Sequence, residues 1–384
     1  MTRKPIIFER DALMARRQRR LARLMRLGVV LLVLLAMALA SAYFHLLLSR
    51  EEQAARNRLR TFAELRTSAL SRFLSSRAQE TALWAGQADM QQLARQFIDL
   101  WRQMTPRERA RIRRMLAPAA RGKAGADAAA SLDTTRTDAM NAYLALHRKS
   151  LADMQAFLEH HGYADIHFIT PDGDLVFSVH KHADFGQNLA LNGSIYAGRA
   201  LGQAFQRALR LISPGMVIFE DFQHYPEEKD PPRAFFAAPL LELEGGKIGV
   251  LAIELDTRPI DTMLDPKGAL GPDARIYAVG PDLLMRNNLP NAPQPTALAR
   301  RVDTPAVRQA LASQMATSVW RDGKRQRIAV ASPMSFDTIR WAVVTEMPLD
   351  EMRAPYQPYR HLWMASLALI LLLGAALYWF VRRD

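Results

Sequence analysis

Five histidines fall within 23 residues: His160, His161, His167, His180 and His182. Neutral imidazoles could bind zinc, copper or nickel. His180 and His182, two positions apart, share a face of any strand they occupy, because side chains alternate with a period of two. Nothing in the spacing makes the five converge, and no cysteine is present to complete a soft ligand set. The pattern fits dispersed surface histidines better than a metal centre, and no metal is expected. Asp172-Gly173-Asp174 starts like a calcium loop but lacks the later ligands and the closing glutamate, so it reads as a hairpin turn. The Gly-x-x-x-x-Gly-Lys-[Ser/Thr], His-Glu-x-x-His and Gly-x-Ser-x-Gly signatures are absent, so neither catalytic residues nor a cofactor is expected. An extracytoplasmic enzyme has only the histidines and abundant carboxylates in its favour.

The elements that must position these residues begin with two apolar runs. Leu27 to Leu48 and Leu362 to Val381 contain no Asp, Glu, Lys or Arg. At 1.5 Å per residue, about 20 residues cross a hydrocarbon core of roughly 30 Å. Both are read as transmembrane helices. Residues 1–26 hold nine Arg or Lys against Glu9 and Asp11, and Arg382 with Arg383 follow the second run. This bias sets both termini in the cytoplasm and the middle outside, as in a two-pass protein of the bacterial inner membrane. Trp363, Tyr378 and Trp379 lie where amphipathic rings prefer the headgroup level. A cleavable signal peptide is the competing reading of the first run, given Ala38, Ala40 and Ala42 near its end, but the run is long and its basic tail longer than usual. The net charge of +13 is concentrated at these membrane flanks, which argues for the lipid bilayer as a partner and against nucleic acid. A basic helix over Phe8 to Arg26, lying on the inner leaflet or docking a partner, is a further option.

Between the runs, residues 50 to 117 are broken only by Gly86 and Pro106 and predict a long helix. Residues 117–130, rich in Ala and Gly, predict a loop, and a second helix is expected over 134–160. Strands then follow at 164–170 and 175–180, a helix at 196–210, and strands at 216–223, 234–241 and 248–255, with a Gly245-Gly246 hairpin. The same order returns after residue 270: strands at 275–279 and 283–286, a helix at 305–313, and strands at 318–320, 328–331 and 340–345. Two successive modules, each an antiparallel sheet with helices, are implied.

The stretches Gly162 to Leu189, Phe219 to Pro226, Phe235 to Leu264 and Arg275 to Asn288 together resemble the double Cache (dCache) sensor domains of bacterial chemoreceptors and other transmembrane receptors. The likeness runs over about residues 50–350. It implies an α+β fold of two tandem PAS-like (Cache) modules packed on a long N-terminal helix and flanked by two transmembrane helices. The implied division is a basic tail over 1–26, a span over 27–48, stalk and long helices over 49–160, a membrane-distal module over 161–265, a membrane-proximal module over 266–350, a connecting helix over 351–361, a span over 362–381 and a cytoplasmic end over 382–384. By the same resemblance, the distal module holds a small extracytoplasmic ligand near Tyr196, Asp221, Phe222 and Tyr225, and the chain is a homodimer. Tyr196 and Phe222 as core, with Asp221 as a turn or cap residue, is the competing reading. The Arg-x-Trp-Tyr element of the amino-acid-binding subgroup is missing from residues 178–185, so an amino-acid ligand is not implied. The sequence ends three residues after Val381, so a sensor that binds a small molecule or a neighbouring protein and passes its output to a separate signalling or membrane partner is expected. A ligand-free membrane scaffold that keeps the sensor fold is the alternative.

Overall fold

The computed structural model describes residues 6–116, 137–191, 194–224, 231–242 and 245–383. The chain forms two compact units, one made of Met1–Arg60, Arg321–Arg327 and Met347–Asp384, the other of Thr61–Trp320 with Ile328–Glu346.

The first helix, α1 (Ile6–Gly86), runs through the first apolar stretch without interruption. The long helix expected to reach residue 117 instead stops at Gly86 and resumes as α2 (Ala88–Gln103) and α3 (Pro106–Leu116). Its two breaks lie at the two expected breakers. Gln87 is extended, with φ −73° and ψ 132°, after the flexible Gly86. Met104 is extended, with φ −82° and ψ 143°, two residues ahead of Pro106, the first residue of the next helix. Thr105 and Glu108 then start α3 as a reciprocal cap: the Thr105 amide donates to Glu108 Oε2 at 2.8 Å, and the Glu108 amide donates to Thr105 Oγ1 at 3.4 Å. The loop expected over 117–130 lies outside the described residues. Helix α4 (Asp138–His161) starts on Thr137, whose hydroxyl accepts from the Met140 amide, and stops at Gly162, where φ of 70° favours glycine.

Five antiparallel strands follow: β1 (Asp165–Ile169), β2 (Leu175–Ser178), β3 (Ile218–Gln223), β4 (Arg233–Leu241) and β5 (Lys247–Leu255), in the order β2-β1-β5-β4-β3. Asp172-Gly173-Asp174 is the hairpin turn its sequence suggests. The Gly173 amide donates to the Thr170 carbonyl with φ of 97°, and Asp174 is held by Trp101 Nε1 at 3.2 Å and by Arg109 at 3.1 Å. Alternation sorts the strands' side chains onto two faces. Ile166, Phe168, Phe177, Leu251 and Ile253 pack with Phe97, Trp101 and Tyr143 of α2 and α4. Ile169, Phe235, Ala237, Val250 and Ala252 face helix α5 (Ala200–Leu209) through Ala200, Ala204, Phe205 and Ala208. After α6 (Arg258–Leu264), the second sheet takes the order β6-β9-β8-β7, built from β6 (Arg275–Val279), β7 (Ala316–Asp322), β8 (Arg325–Phe336) and β9 (Ile339–Pro348). Helix α7 (Pro305–Leu311) covers one face through Val307 and Ala310, while Ile276, Trp341 and Val343 on the other face join the core of the first sheet.

One expected strand is missing. Residues 283–286 make only isolated bridges, because Leu283 adopts φ of 65° in a tight turn back to Gly280 and Arg286 turns inward to a carboxylate on the first sheet.

The other unit contains α8 (Leu349–Arg353) and α9 (Gln357–Arg383). Both α1 and α9 carry a run long and apolar enough to cross a membrane. Leu31, Leu35, Leu39, Leu369 and Leu372 are exposed, an arrangement a bilayer covers and water does not. Phe44 stacks on Trp363 with centroids 5.0 Å apart, and Gly374 lies so near Val33 that an added Cβ would collide with it.

Candidate functional site: a buried ion cluster beside a cavity

On the α5 face of the first sheet, the apolar pattern breaks at one end. Asp165 and His167 occupy alternate positions of β1, and Glu254 sits directly opposite Asp165 in the register with β5. Two carboxylates facing each other across a ladder repel. All three side chains are buried. The repulsion is met by His167, whose Nε2 lies 3.1 Å from Glu254 Oε2, and by Arg233, whose Nε lies 3.0 Å from Glu254 Oε1. Burial works against a charged His167, yet the Asp165 charge, the hydrogen bond and charge of Glu254, and the Asp184 charge raise its pKa to about 9. It is therefore an imidazolium at neutral pH. Burial likewise opposes ionisation of Asp165, but His167, the bond to His180 and the Val179 and Ile166 amides hold it well below the usual carboxylate range.

Ligand atoms of Asp165, His167 and Glu254 lie within 4.8 Å of one another, a spacing a metal ion could use. The carboxylates already have partners, while His167 Nδ1 is buried with no hydrogen-bond partner among the described residues. Asp165 accepts from the Ile166, Val179 and His180 amides and from Ser178 Oγ, while protonated His167 and Arg233 answer the charge of Glu254. The cluster is a set of internal ion pairs.

Beside it opens a cavity of about 920 Å³, bounded by Gln155 and Glu159 at the end of α4, His180 and His182 after β2, Arg233 at the start of β4, and Asp256, Arg258 and Thr262 beyond β5. The His180 and His182 rings stack at 17° with centroids 6.0 Å apart. Two wall residues reach the buried cluster: Arg233 through Glu254, and His180, whose Nδ1 lies 3.6 Å from Asp165 Oδ2. Asp256 is held by Arg258 at 2.5 Å and lies 3.9 Å from Arg233. The wall thus carries both signs of charge, in pairs that a polar ligand could exchange.

The residues expected from sequence are placed differently from one another. Tyr196 is buried among Leu189, Ala200 and Phe205 on the α5 face. Asp221 and Phe222 belong to the contact between the two sheets. Arg286 Nε lies 3.1 Å and 3.0 Å from the two Asp221 oxygens, Trp341 Nε1 donates to Asp221 at 3.1 Å, and the Phe222 ring lies 6.2 Å from Trp341. Close by, Arg207 bridges Glu220 at 2.8 Å and Asp337 at 3.2 Å. Tyr225 lies outside the described residues. Tyr196 and Phe222 thus belong to different apolar clusters, and Asp221 to the ion pair with Arg286. Nor are the histidines all dispersed on the surface: His167 is fully buried and His147 nearly so.

No protein-family model and no curated protein matches the sequence. Solved structures do. The ligand-binding domain of the Pseudomonas fluorescens chemoreceptor CtaA, in complex with L-alanine, is 12% identical and aligns over 77% of this chain and 97% of that one, with a TM-score of 0.43. The ligand-binding domain of the Pseudomonas aeruginosa PAO1 amino-acid chemoreceptor PctC, in complex with GABA, is 11% identical over 76% and 99%, with a TM-score of 0.41. A methyl-accepting chemotaxis protein X is 18% identical over 75% and 97%, with a TM-score of 0.40. These neighbours are chemoreceptor proteins.

Proposed function

We propose that this chain is a membrane-anchored sensor of the double Cache type, without enzymatic activity, that binds a small polar molecule in the 920 Å³ cavity. The observation that carries the reading is the link from cavity wall to buried cluster. A ligand with an anionic group would compete with Glu254 and Asp256 for Arg233, so its charge would favour one arrangement of ion pairs over another. Only such differential affinity can shift a population. In this reading the two apolar runs cross the bacterial inner membrane, the two-sheet unit is periplasmic with both termini inside, the chain acts as a homodimer, and a separate partner receives the signal.

Thermal unfolding of the full chain in detergent, against a panel of small carboxylates, amino acids and amines, tests it. Ligand at a hundredfold over Kd stabilises by about 2.7 kcal/mol, so a clear rise in Tm is expected for at least one member and its loss in Arg233→Ala. A rise that survives Arg233→Ala but is lost in Tyr196→Ala would instead locate the ligand where the sequence resemblance put it. With no shift from any compound, and a partner protein captured by crosslinking from wild type and from the Tyr196→Ala, Asp221→Ala variant alike, the scaffold alternative holds.

A further inference from the structure

Directly before the second apolar run, five cations line one concavity of about 570 Å³: Arg321, Lys324 and Arg325 around the β7–β8 turn, Arg353 at the end of α8, and Arg360 in the first turns of α9. Asp350 is the one carboxylate in its lining. Arg353 is paired with Glu52 at 3.2 Å, whereas Arg321, Lys324 and Arg360 make no ion pair among the described residues. All five are exposed. Like charges gathered around one hollow repel until an anion sits among them. Their height along the chain identifies the anion. Arg360 precedes Leu362, where the apolar run starts, by two residues, which is about 3 Å of helical rise. The headgroup layer beyond the hydrocarbon is roughly 5–7 Å deep on each side. The outer flank of a span ordinarily carries few Lys or Arg, so a basic cluster there calls for a partner. Guanidinium forks match phosphate oxygens two at a time.

We propose that this concavity binds the phosphate headgroup of an anionic phospholipid in the outer leaflet, clamping the β7–β8 turn to the foot of the second span. The proposal rests on reading residues 362–381 as a membrane span. Each basic residue near an anionic surface is worth roughly a fivefold change in binding.

The test uses the full chain in neutral detergent, titrated with phosphatidylglycerol or phosphatidylcholine and read by native mass spectrometry of retained lipid. Inorganic phosphate and glycerol phosphate serve as soluble competitors. Wild type is expected to retain phosphatidylglycerol over phosphatidylcholine, and Arg321→Ala, Lys324→Ala, Arg360→Ala together to weaken that preference by at least about 20-fold. Arg107→Ala, Arg114→Ala, Lys149→Ala, which remove as many exposed charges from the other unit, are expected to leave it unchanged. Equal retention of the two lipids, an unaffected cluster variant, or displacement by soluble phosphate at matched concentration would overturn the headgroup assignment. Alkaline carbonate extraction separates the two layers of the argument. A chain that stays in the membrane yet shows no lipid preference refutes this site alone, and a chain released by carbonate refutes the anchor and the site together.

Discussion

Replacing His167 by Gln removes a buried cation that stands between two carboxylates fixed opposite each other by strand register. The magnitude follows from its titration. The imidazole is raised from 6.5 to about 9 in the fold, an interval on the order of 3 kcal/mol. Removing one member of a buried pair costs about 3–5 kcal/mol in other proteins, the same order. The sign is set by the direction of the shift. A group whose pKa is raised by folding stabilises fully below its unfolded value, so the contribution is complete below pH 6.5 and disappears as pH rises through 9. Wild type should therefore lose stability between pH 6.5 and 9.5. At roughly 2–4 °C per kcal/mol, Tm should fall by about 6–12 °C over that range. His167→Gln should start about that much lower at pH 6.5 and show little further slope, because Asp165 and Glu254 then repel at every pH in the window. Adding Glu254→Gln to His167→Gln should recover part of the loss. The assay is tryptophan fluorescence during thermal unfolding of the full chain in detergent at pH 6.5, 8 and 9.5. A flat wild-type profile, or a His167→Gln variant as stable as wild type at pH 6.5, would refute the ion-cluster argument.

Arg286→Ala strands the Asp221 carboxylate against Trp341 and should lower stability by about 2–4 kcal/mol, with partial rescue by Asp221→Asn, in the same unfolding assay. Trp341→Phe removes one indole donor to Asp221 while keeping an aromatic core group, and should cost about 1–2 kcal/mol by denaturant titration. Gly249→Ala sets a Cβ against the Ile169 carbonyl and the Ile98 side chain near the start of β5, so expression of folded protein should fall sharply, measured by protease resistance in membranes. Gly374→Leu should separate the two apolar helices, reducing disulfide capture between cysteines placed at Phe44 and Trp363, where wild type packs ring on ring.

Much of the architecture was legible because its signals are local. The turn at Asp172 to Asp174, the shift from helical to alternating periodicity at Gly162 and the uncharged runs at 27–48 and 362–381 depend on neighbours in sequence. Helix breaks beside Gly86 and Pro106 were marked by those residues themselves. What failed depends on contacts far apart in the chain. The strand expected at 283–286 has adequate β propensity, and its loss follows from Arg286 reaching a carboxylate 65 residues earlier. Asp221 was noticed but its partner was not, for the same reason. The buried cluster did leave a trace: Asp165 and His167 at alternate positions of an otherwise apolar strand, and Glu254 inside the run Ile248 to Leu255, put ionisable groups where core residues belong.

A detector of extracytoplasmic molecules must hold its cavity outside the cytoplasm, and a reporter inserted after residue 192 measures that directly. Alkaline phosphatase, which needs the oxidising periplasm, should be active there, and a fluorescent protein that matures only in the cytoplasm should stay dark. Fluorescence with no phosphatase activity would place the two-sheet unit inside the cell and contradict the sensor assignment.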